Sequence, residues 1–144
     1  MGIVAVGQAV PRHEDPTLLR GEGCYTGDVS LPNQAYGYVL RSPHAHAKLA
    51  SIETTTAKAA PGVIDVFTGV DCRADGIGKL PTVQMPAPNF DFDSHVRPDR
   101  YALAMDKVHF VGEEVAFVVA ETLAQARDAA ELIEVEYQPL PAVT

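Results

Sequence analysis

The sequence has little of what would mark several common classes of protein. It contains no tryptophan and only two cysteines, Cys24 and Cys72, and neither belongs to a paired cysteine motif. The two thiols could bridge, but free buried cysteines are the expectation, and this favours a cytoplasmic protein. Apolar runs such as Val115–Ala120 are too short to cross a bilayer, and Met1–Val10 has no basic stretch typical of a signal peptide.

Basic side chains are scarce. The chain has 11 lysines and arginines against 19 aspartates and glutamates, which gives a formal net charge of −8. No run of five or more basic residues occurs along it. Because binding to a phosphate backbone needs a clustered basic surface, we do not expect DNA or RNA as a partner.

Motifs for phosphate binding and nucleophilic catalysis are also missing. The stretch Gly21–Gly23 lacks the third glycine and the preceding strand of a dinucleotide-binding loop. Ser42 is followed directly by Pro43 and has no flanking glycines to form a nucleophile elbow. Cys24 has no candidate base beside it in the sequence. Residue types and spacing alone therefore predict neither a catalytic nor a cofactor-binding residue.

The sequence does contain the pattern of one small domain, since 144 residues can bury a sizeable core. Residues 1–23, rich in glycine and proline without a sustained period, are predicted to be an extended arm. Thr122 and Gln125 form a capping-box pattern before an apolar face at helical spacing, which predicts the longest helix, over 123–133. The other predicted elements are a short helix at Thr54–Ala60 and strands at Gln34–Arg41, Lys48–Glu53, Val63–Thr68, Val115–Ala120 and Glu134–Gln138.

The order of these elements predicts an α+β fold with a mixed sheet, one long and one short helix, and a long proline-rich loop. The loop covers residues 72–100, where most of the sequence shows no clear period. A structureless stretch of that length is uncommon inside a compact domain. We therefore expect Pro81–Arg100 to be mobile in the isolated chain and to become ordered against a partner.

Two groups of polar residues are candidates for chemistry. His44 and His46 would point to one side of an extended chain and could share a metal ion, but a zinc site needs further ligands, and His13, His95, His109, Cys24 and Cys72 are all distant in sequence. We therefore predict no metal site and expect a polar pair that closes a strand or touches a neighbouring domain. The acidic pairs at 14–15 and 113–114 are expected to be solvated, because adjacent exposed carboxylates rarely acquire shifted pKa values.

Four segments in one order resemble the large subunit of the xanthine dehydrogenase, aldehyde oxidase and carbon monoxide dehydrogenase family. They are GQAVPRHEDPTLLRGEGCYTGD (7–28), LRSPHAHAKLASIET (40–54), PGVIDVFTG (61–69) and DKVHFVGEEVAFVVAETLAQARDAAELIEVEYQPLPAV (106–143). The arm and the Arg-Ser-Pro-His-Ala-His stretch are most similar to the bacterial carbon monoxide dehydrogenase-like branch. Gly27 and Glu114 depart from the family pattern, in which an acidic residue and a proline are common at these positions.

The resemblance implies that residues 1–144 form the N-terminal α/β-hammerhead domain of a molybdenum-dependent oxidoreductase. Such enzymes hydroxylate a substrate carbon with oxygen from water and use a molybdenum–pterin cofactor. The active-site glutamate and the cofactor loops lie in downstream domains, so the chain, which stops at Thr144, is expected to be an excised domain or the product of a split gene. Electrons leave through iron–sulfur clusters to FAD on partner subunits or segments.

The resemblance also implies a scaffolding role. The domain should be inactive when isolated and should pack against the molybdenum-binding domains and the iron–sulfur and FAD subunits. The alternative is a stand-alone module that binds a small ligand or a protein without catalysis. The substrate of the complete enzyme stays open. The residues expected to make interdomain contacts are Arg12, Arg41, His44, His46, Gly112 and Glu113.

Overall fold

A computed structural model describes Gly7, residues 12–81 and residues 99–142. The chain divides into two compact units, Met1–Gln34 and Ala35–Thr144. The first unit contains helix α1, Asp15–Leu19, and a 3-10 turn at Thr26–Asp28. The predicted extended arm is therefore wrong over α1, where proline stands in the first turn of a helix and so costs no internal hydrogen bond.

The second unit contains two three-stranded sheets. The first sheet has the order β1 (Tyr36–Arg41), β5 (Glu114–Ala120), β3 (Val63–Thr68), and the second has the order β4 (Lys107–Val108), β2 (Ala47–Glu53), β6 (Glu134–Pro139). Strand pairing is antiparallel in both sheets. The α+β class is thus confirmed, whereas the expected single mixed sheet is replaced by two antiparallel ones.

Helix α4, Leu123–Glu131, covers one face of the first sheet. As predicted, it begins directly after its N-cap Thr122, whose hydroxyl accepts a hydrogen bond from the backbone N–H of Gln125 at 3.2 Å. The helix buries small side chains, which let it lie close to the sheet. The residues of this core include Val66, Ala116, Val118, Ala120, Ala126, Ala129, Ala130 and Ile133.

A second core lies against the other sheet, and Val115 of β5 connects the two sheets through it. Its buried members are Ala47, Leu49, Ala104, Val108 and Val115. Val115 and Val118 are both completely buried and point to opposite faces of β5, so this strand contributes to both cores. This shared strand explains why a chain with two small sheets still builds one unit.

Strand β3 forms one edge of the first sheet. The side chain of Asp65 accepts a hydrogen bond from the backbone N–H of Val66 at 2.7 Å. The ammonium group of Lys58, the last residue of helix α2 (Thr55–Lys58), lies 3.1 Å from the same carboxylate. One backbone donor of this edge is therefore satisfied by a local side chain.

Helix α3, Gly69–Ala74, directly follows β3 and shortens the predicted loop. The carboxylate of Asp71 accepts hydrogen bonds from the backbone N–H and the hydroxyl of Thr68 at 2.7 and 2.6 Å. The loop predicted over 72–100 is therefore wrong for its first residues. Residues 82–98 lie outside the described residues, so the mobility of Pro81–Arg100 stays a prediction. In the parts of the chain that the structure describes, no helix is long and apolar enough to span a bilayer.

Candidate interdomain contact site

Two chain segments connect the two sheets and lie side by side. The first, residues 42–46, runs from β1 to β2, and the second, residues 109–113, runs from β4 to β5. The backbone N–H of Ser42 donates to the carbonyl of Glu113 at 2.9 Å, and the N–H of Gly112 donates to the carbonyl of Ser42 at 2.8 Å. We call this hydrogen-bonded pair the paired crossovers. It brings polar residues from two distant parts of the sequence to one surface.

Arg41 anchors the second crossover at the end of β1. One guanidinium nitrogen lies 2.7 Å from the carbonyl oxygen of Gly112 and 2.6 Å from a carboxylate oxygen of Glu114. Gly112 has a positive φ of 90°, which glycine adopts without strain. Burial raises the pKa of Glu114, but the backbone N–H of Glu114 and the charge of Arg41 outweigh it and leave the pKa lowered. The carboxylate is thus held charged beside Arg41.

His44 and Ser42 connect the first crossover to strand β6. Ser42 is only 2% exposed, and its hydroxyl accepts a hydrogen bond from the backbone N–H of His44 at 3.0 Å. The imidazole of His44 packs against Tyr137, with 4.6 Å between ring centroids. Burial raises the pKa of Tyr137, and a hydrogen bond with the Ser42 side chain opposes that rise. The phenol therefore stays neutral at physiological pH.

His46 is tied to the end of β6 from both its backbone and its side chain. Its carbonyl accepts from the N–H of Leu140 at 2.9 Å, and its Nδ1 donates to the carbonyl of Pro141 at 2.7 Å. Because a carbonyl oxygen only accepts, the Nδ1 of His46 carries the hydrogen in this bond. The His46 ring stacks on His109 of the second crossover at a centroid distance of 6.2 Å.

Glu113 forms the inner side of the second crossover. Its side chain is 17% exposed, its carboxylate accepts a hydrogen bond from the backbone N–H of His109, and both carboxylate oxygens lie 3.3 Å from the Nδ1 of His109. A histidine–carboxylate pair can act as a general base when a nucleophile lies within reach. Among the described residues, no serine, threonine or cysteine side chain hydrogen-bonds to this histidine. The pair links the two ends of the second crossover.

Apolar side chains stand exposed beside these polar groups. Phe110 and Val111, in the middle of the second crossover, are 42% and 64% exposed. The guanidinium of Arg100 lies 5.8 Å from the centre of the Phe110 ring. Exposed apolar side chains next to ordered charged and aromatic groups are typical of the composition of protein contact surfaces.

The structure brings together five of the six residues predicted to make interdomain contacts. Arg41, His44, His46, Gly112 and Glu113 all lie on or next to the paired crossovers. Arg12 belongs to the N-terminal unit, where its backbone N–H donates to a carboxylate oxygen of Asp15 at 3.1 Å. The role of all six in contacts between domains stays a prediction.

The His44–His46 pair does not have the arrangement considered for a metal site. The first crossover is not a strand, and the two imidazoles contact different partners, Tyr137 and the Pro141 carbonyl. Within residues 12–81 and 99–142, no group of three His, Cys, Asp or Glu side chains is placed to hold a metal ion. His109, which looked distant from His46 in sequence, is the histidine that lies beside it.

Other expectations need correction. Glu113 and Glu114 were predicted to be solvated, yet both are half-buried and paired, because the antiparallel crossovers place them against His109 and Arg41. Both cysteines are free as expected, but Cys24 is exposed and Cys72 only half-buried. Cys24 stands in the irregular stretch after α1, which offers no core to bury it.

Sequence reasoning missed Ser42, His109, Phe110 and Tyr137 as members of this surface. Their clustering depends on the pairing of segments about seventy to ninety-five residues apart, as in the contacts of Arg41 with Gly112 and of His46 with Pro141. One local signal was available. A buried serine before a proline at a strand end is a frequent hydrogen-bonding residue of turns.

Comparison with known proteins decides the family. The family model described as aldehyde oxidase and xanthine dehydrogenase, a/b hammerhead domain, matches residues 20–141. This chain belongs to that family. The resemblance found in the sequence is therefore confirmed, and so is the hammerhead fold.

Individual members of the family agree with this assignment. The chain is 42% identical over 130 residues to the carbon monoxide dehydrogenase large chain of Afipia carboxidovorans, a match that covers 90% of this chain and 15% of the relative. Quinoline 2-oxidoreductase from Pseudomonas putida 86 matches with a TM-score of 0.81 and 41% identity, over 96% of this chain and 17% of the solved one. The Cu,Mo-CO dehydrogenase in its carbon monoxide reduced state matches with a TM-score of 0.78 and 41% identity, over 94% and 16%. The chain thus spans about a sixth of the length of these relatives.

Proposed function

We propose that this chain is the hammerhead domain of a molybdenum-dependent oxidoreductase large subunit, in which it positions neighbouring domains and contributes no reacting group. The observation that carries the proposal is the paired crossovers. They order Arg41, His46 and Glu113 by internal hydrogen bonds and leave Phe110 and Val111 exposed beside them. A surface whose polar groups are already fixed loses little conformational entropy when it docks.

The described residues do not fit a molybdenum–pterin group. They supply no set of three side chains that could bind a metal ion, and the charged groups of the paired crossovers are engaged with one another. In this proposal the ligands of the cofactor, and the acid–base groups of the reaction, come from other polypeptide. When bound there, the cofactor would supply the oxygen-transfer chemistry implied by the family.

The substrate and the partners follow the same line. The relatives are named for carbon monoxide and quinoline, which differ widely in size, so the hammerhead domain does not select between them in this proposal. Its partners would be the molybdenum-binding domains of the large subunit and the iron–sulfur and FAD subunits. We expect the complete enzyme to work in the cytoplasm, where thiols such as Cys24 stay reduced.

A domain graft tests the proposal. Residues 12–142 replace the matched segment of the Afipia carboxidovorans carbon monoxide dehydrogenase large chain, and the purified product is analysed for molybdenum content and for co-purification of its partner subunits. We expect the graft to retain both, because the domain supplies the same surface. The double substitution Phe110→Ser and Val111→Ser should sharply lower both.

The control is Leu132→Ser at the C-terminal end of α4. It removes an apolar side chain that is 42% exposed, the same fraction as Phe110. This variant should assemble like the unsubstituted graft. Equal assembly of the crossover variant and the Leu132 control would contradict the proposed surface. Molybdenum bound at one ion per isolated 1–144 chain would contradict the assignment of the cofactor to other polypeptide.

A further inference from the structure

The face of the first sheet opposite α4 carries a row of large apolar side chains. Along β5, residues 116, 118 and 120 are buried under α4, so Phe117 points to the opposite face. Val39 and Phe67 from the two neighbouring strands lie opposite it in register. Helix α3 and Leu103 stand at the side of this row and turn the face into a cleft of about 360 Å³. We call it the sheet-face cleft.

The size of the cleft indicates the kind of ligand it can take. Pockets for cofactors and small ligands measure about 300–1,000 Å³ and enclose most of the ligand. This cleft lies at the lower end of that range and is built on one open sheet face. Its lining is dominated by aromatic and aliphatic groups, including Phe67, Phe117 and Ile77, the last of which is 48% exposed. It therefore suits one aromatic side chain of a polypeptide better than a cofactor.

The rim of the cleft is acidic. Among the residues that the structure describes, Asp75 and Glu114 are the charged ones that line it, and Arg41 already pairs with Glu114. No lysine or arginine of the described residues forms an ion pair with Asp75. Burial raises the pKa of the Cys72 thiol at the cleft wall, and the carboxylates of Asp71 and Asp75 raise it further. The rim thus favours a positive group.

The position of Asp75 also favours a positive group at the rim of the cleft. It is the C-terminal cap residue of α3, where the partial negative charge of the helix end disfavours a carboxylate. A lysine or arginine placed there would relieve this local repulsion. An aromatic side chain in the cleft with a cation at Asp75 would therefore satisfy both its apolar floor and its charged rim.

We propose that the sheet-face cleft docks a basic segment from the remainder of the large-subunit polypeptide, with an aromatic side chain against Phe67 and Phe117 and a lysine or arginine at Asp75. The source rests on the proposed function, because the chain spans only about a sixth of its relatives and most of such a subunit lies outside it. The acidic character of the chain, with a net charge of −8, favours a basic partner segment.

The test uses Cys72 as a reporter in the full chain, with Cys24→Ser removing the other thiol. The rate of Cys72 alkylation is measured with increasing amounts of a short capped peptide that carries one phenylalanine between lysines. Two control peptides carry glutamates in place of the lysines, or alanine in place of the phenylalanine. We expect only the lysine–phenylalanine peptide to slow alkylation in a saturable manner.

Substitutions then locate the contact. Asp75→Asn, at an exposed position, should weaken the peptide roughly two- to fivefold, the usual effect of one exposed ion pair. Ile77→Ser should weaken it as well, whereas Asp128→Asn, on the exposed side of α4, should leave it unchanged. All three substitutions are at exposed positions and keep the buried core intact, so a loss of binding would not reflect unfolding.

Several outcomes would overturn the proposal. They are equal protection by the glutamate peptide, no protection by the lysine–phenylalanine peptide, and unchanged affinity in Asp75→Asn. Protection of Cys72 that rises with protein concentration in the absence of peptide would show that a second copy occupies the cleft. Peptide binding that occurs only after deletion of residues 82–98 would show that this segment of the same chain occupies it. Because this assay uses the chain alone, its failure leaves the graft result on the paired crossovers standing, and the converse also holds.

Discussion

Replacing Ser42 with alanine removes the hydroxyl that stabilises the first crossover. Ser42 is 2% exposed, and its oxygen accepts from the N–H of His44 at 3.0 Å. Alanine fits the space but leaves that half-buried N–H without its acceptor, which costs about 1–2 kcal/mol. For a domain of this size we expect a fall in Tm of roughly 4–8 °C, since about 4 °C accompanies each kcal/mol.

The assay is urea unfolding followed by circular dichroism, with thermal unfolding as the second measurement. The midpoint should fall while the dependence of the free energy on urea stays the same, because the alanine variant exposes the same surface on unfolding. Ser51→Ala is the matched control, since Ser51 is exposed and its hydroxyl lies 3.4 Å from Glu136. Its effect should stay within about 0.5 kcal/mol. A Ser42 variant as stable as the Ser51 variant would refute the role given to this hydroxyl.

Helix α3 provides two further predictions. Gly69→Ala should destabilise the chain by roughly 1–3 kcal/mol, because a Cβ at this buried position would overlap the backbone carbonyl of Ala104, which cannot simply rotate away; thermal unfolding measures the loss. Asp71→Asn should make the free energy of unfolding vary less with pH in the acid range. The reason is that the hydrogen bond from the Thr68 hydroxyl lowers the pKa of Asp71 below its ordinary value of 3.8. This contribution is complete above the ordinary value and is lost as the pH falls through the lowered one. Unfolding free energies measured from pH 6 downwards should therefore converge for the two proteins.

A matched variant controls the glycine measurement. Gly78→Ala places a methyl group in open space, at a glycine without a positive φ, and should change stability by no more than a few tenths of a kcal/mol. An equal loss at both glycines would contradict the close approach at Gly69. A constant free-energy difference between wild type and Asp71→Asn across the acid range would show that Asp71 does not titrate as argued.

Local sequence signals predicted the elements whose stability is local. Strand Val63–Thr68 has the predicted bounds, and α4 begins at the predicted Leu123 because the capping signal at Thr122 and the apolar period agree. Helix α3 was not predicted although Thr68 and Asp71 have the spacing of a capping box, because a glycine directly after a strand favours a turn. Helix α1 was not predicted either. The glycines and prolines around it favour an extended chain, although an acidic residue and a proline at its start are typical of a helix N-terminus.

The arrangement of the paired crossovers was predicted only in part, for a physical reason. The resemblance pointed to Arg41, His46 and Glu113, but not to the hydrogen bonds that fix their side chains. Their arrangement depends on hydrogen bonds between segments 42–46 and 109–113, and no residue preference within either segment encodes that pairing. The split into two sheets has the same origin, since β5 joins β1 and β3 through register that only tertiary packing decides.

The side-chain contact on strand β3 has a consequence for how the chain behaves at high concentration. An open sheet edge is a template for strands from other molecules, which is how many β proteins begin to aggregate. Asp65 occupies the N–H of Val66 and, with Lys58, puts two opposite charges at that edge. An incoming strand would have to displace the carboxylate and desolvate both charges to pair with the N–H of Val66. The ion pair on this edge thereby lowers the tendency of the protein to form intermolecular sheets in concentrated solution.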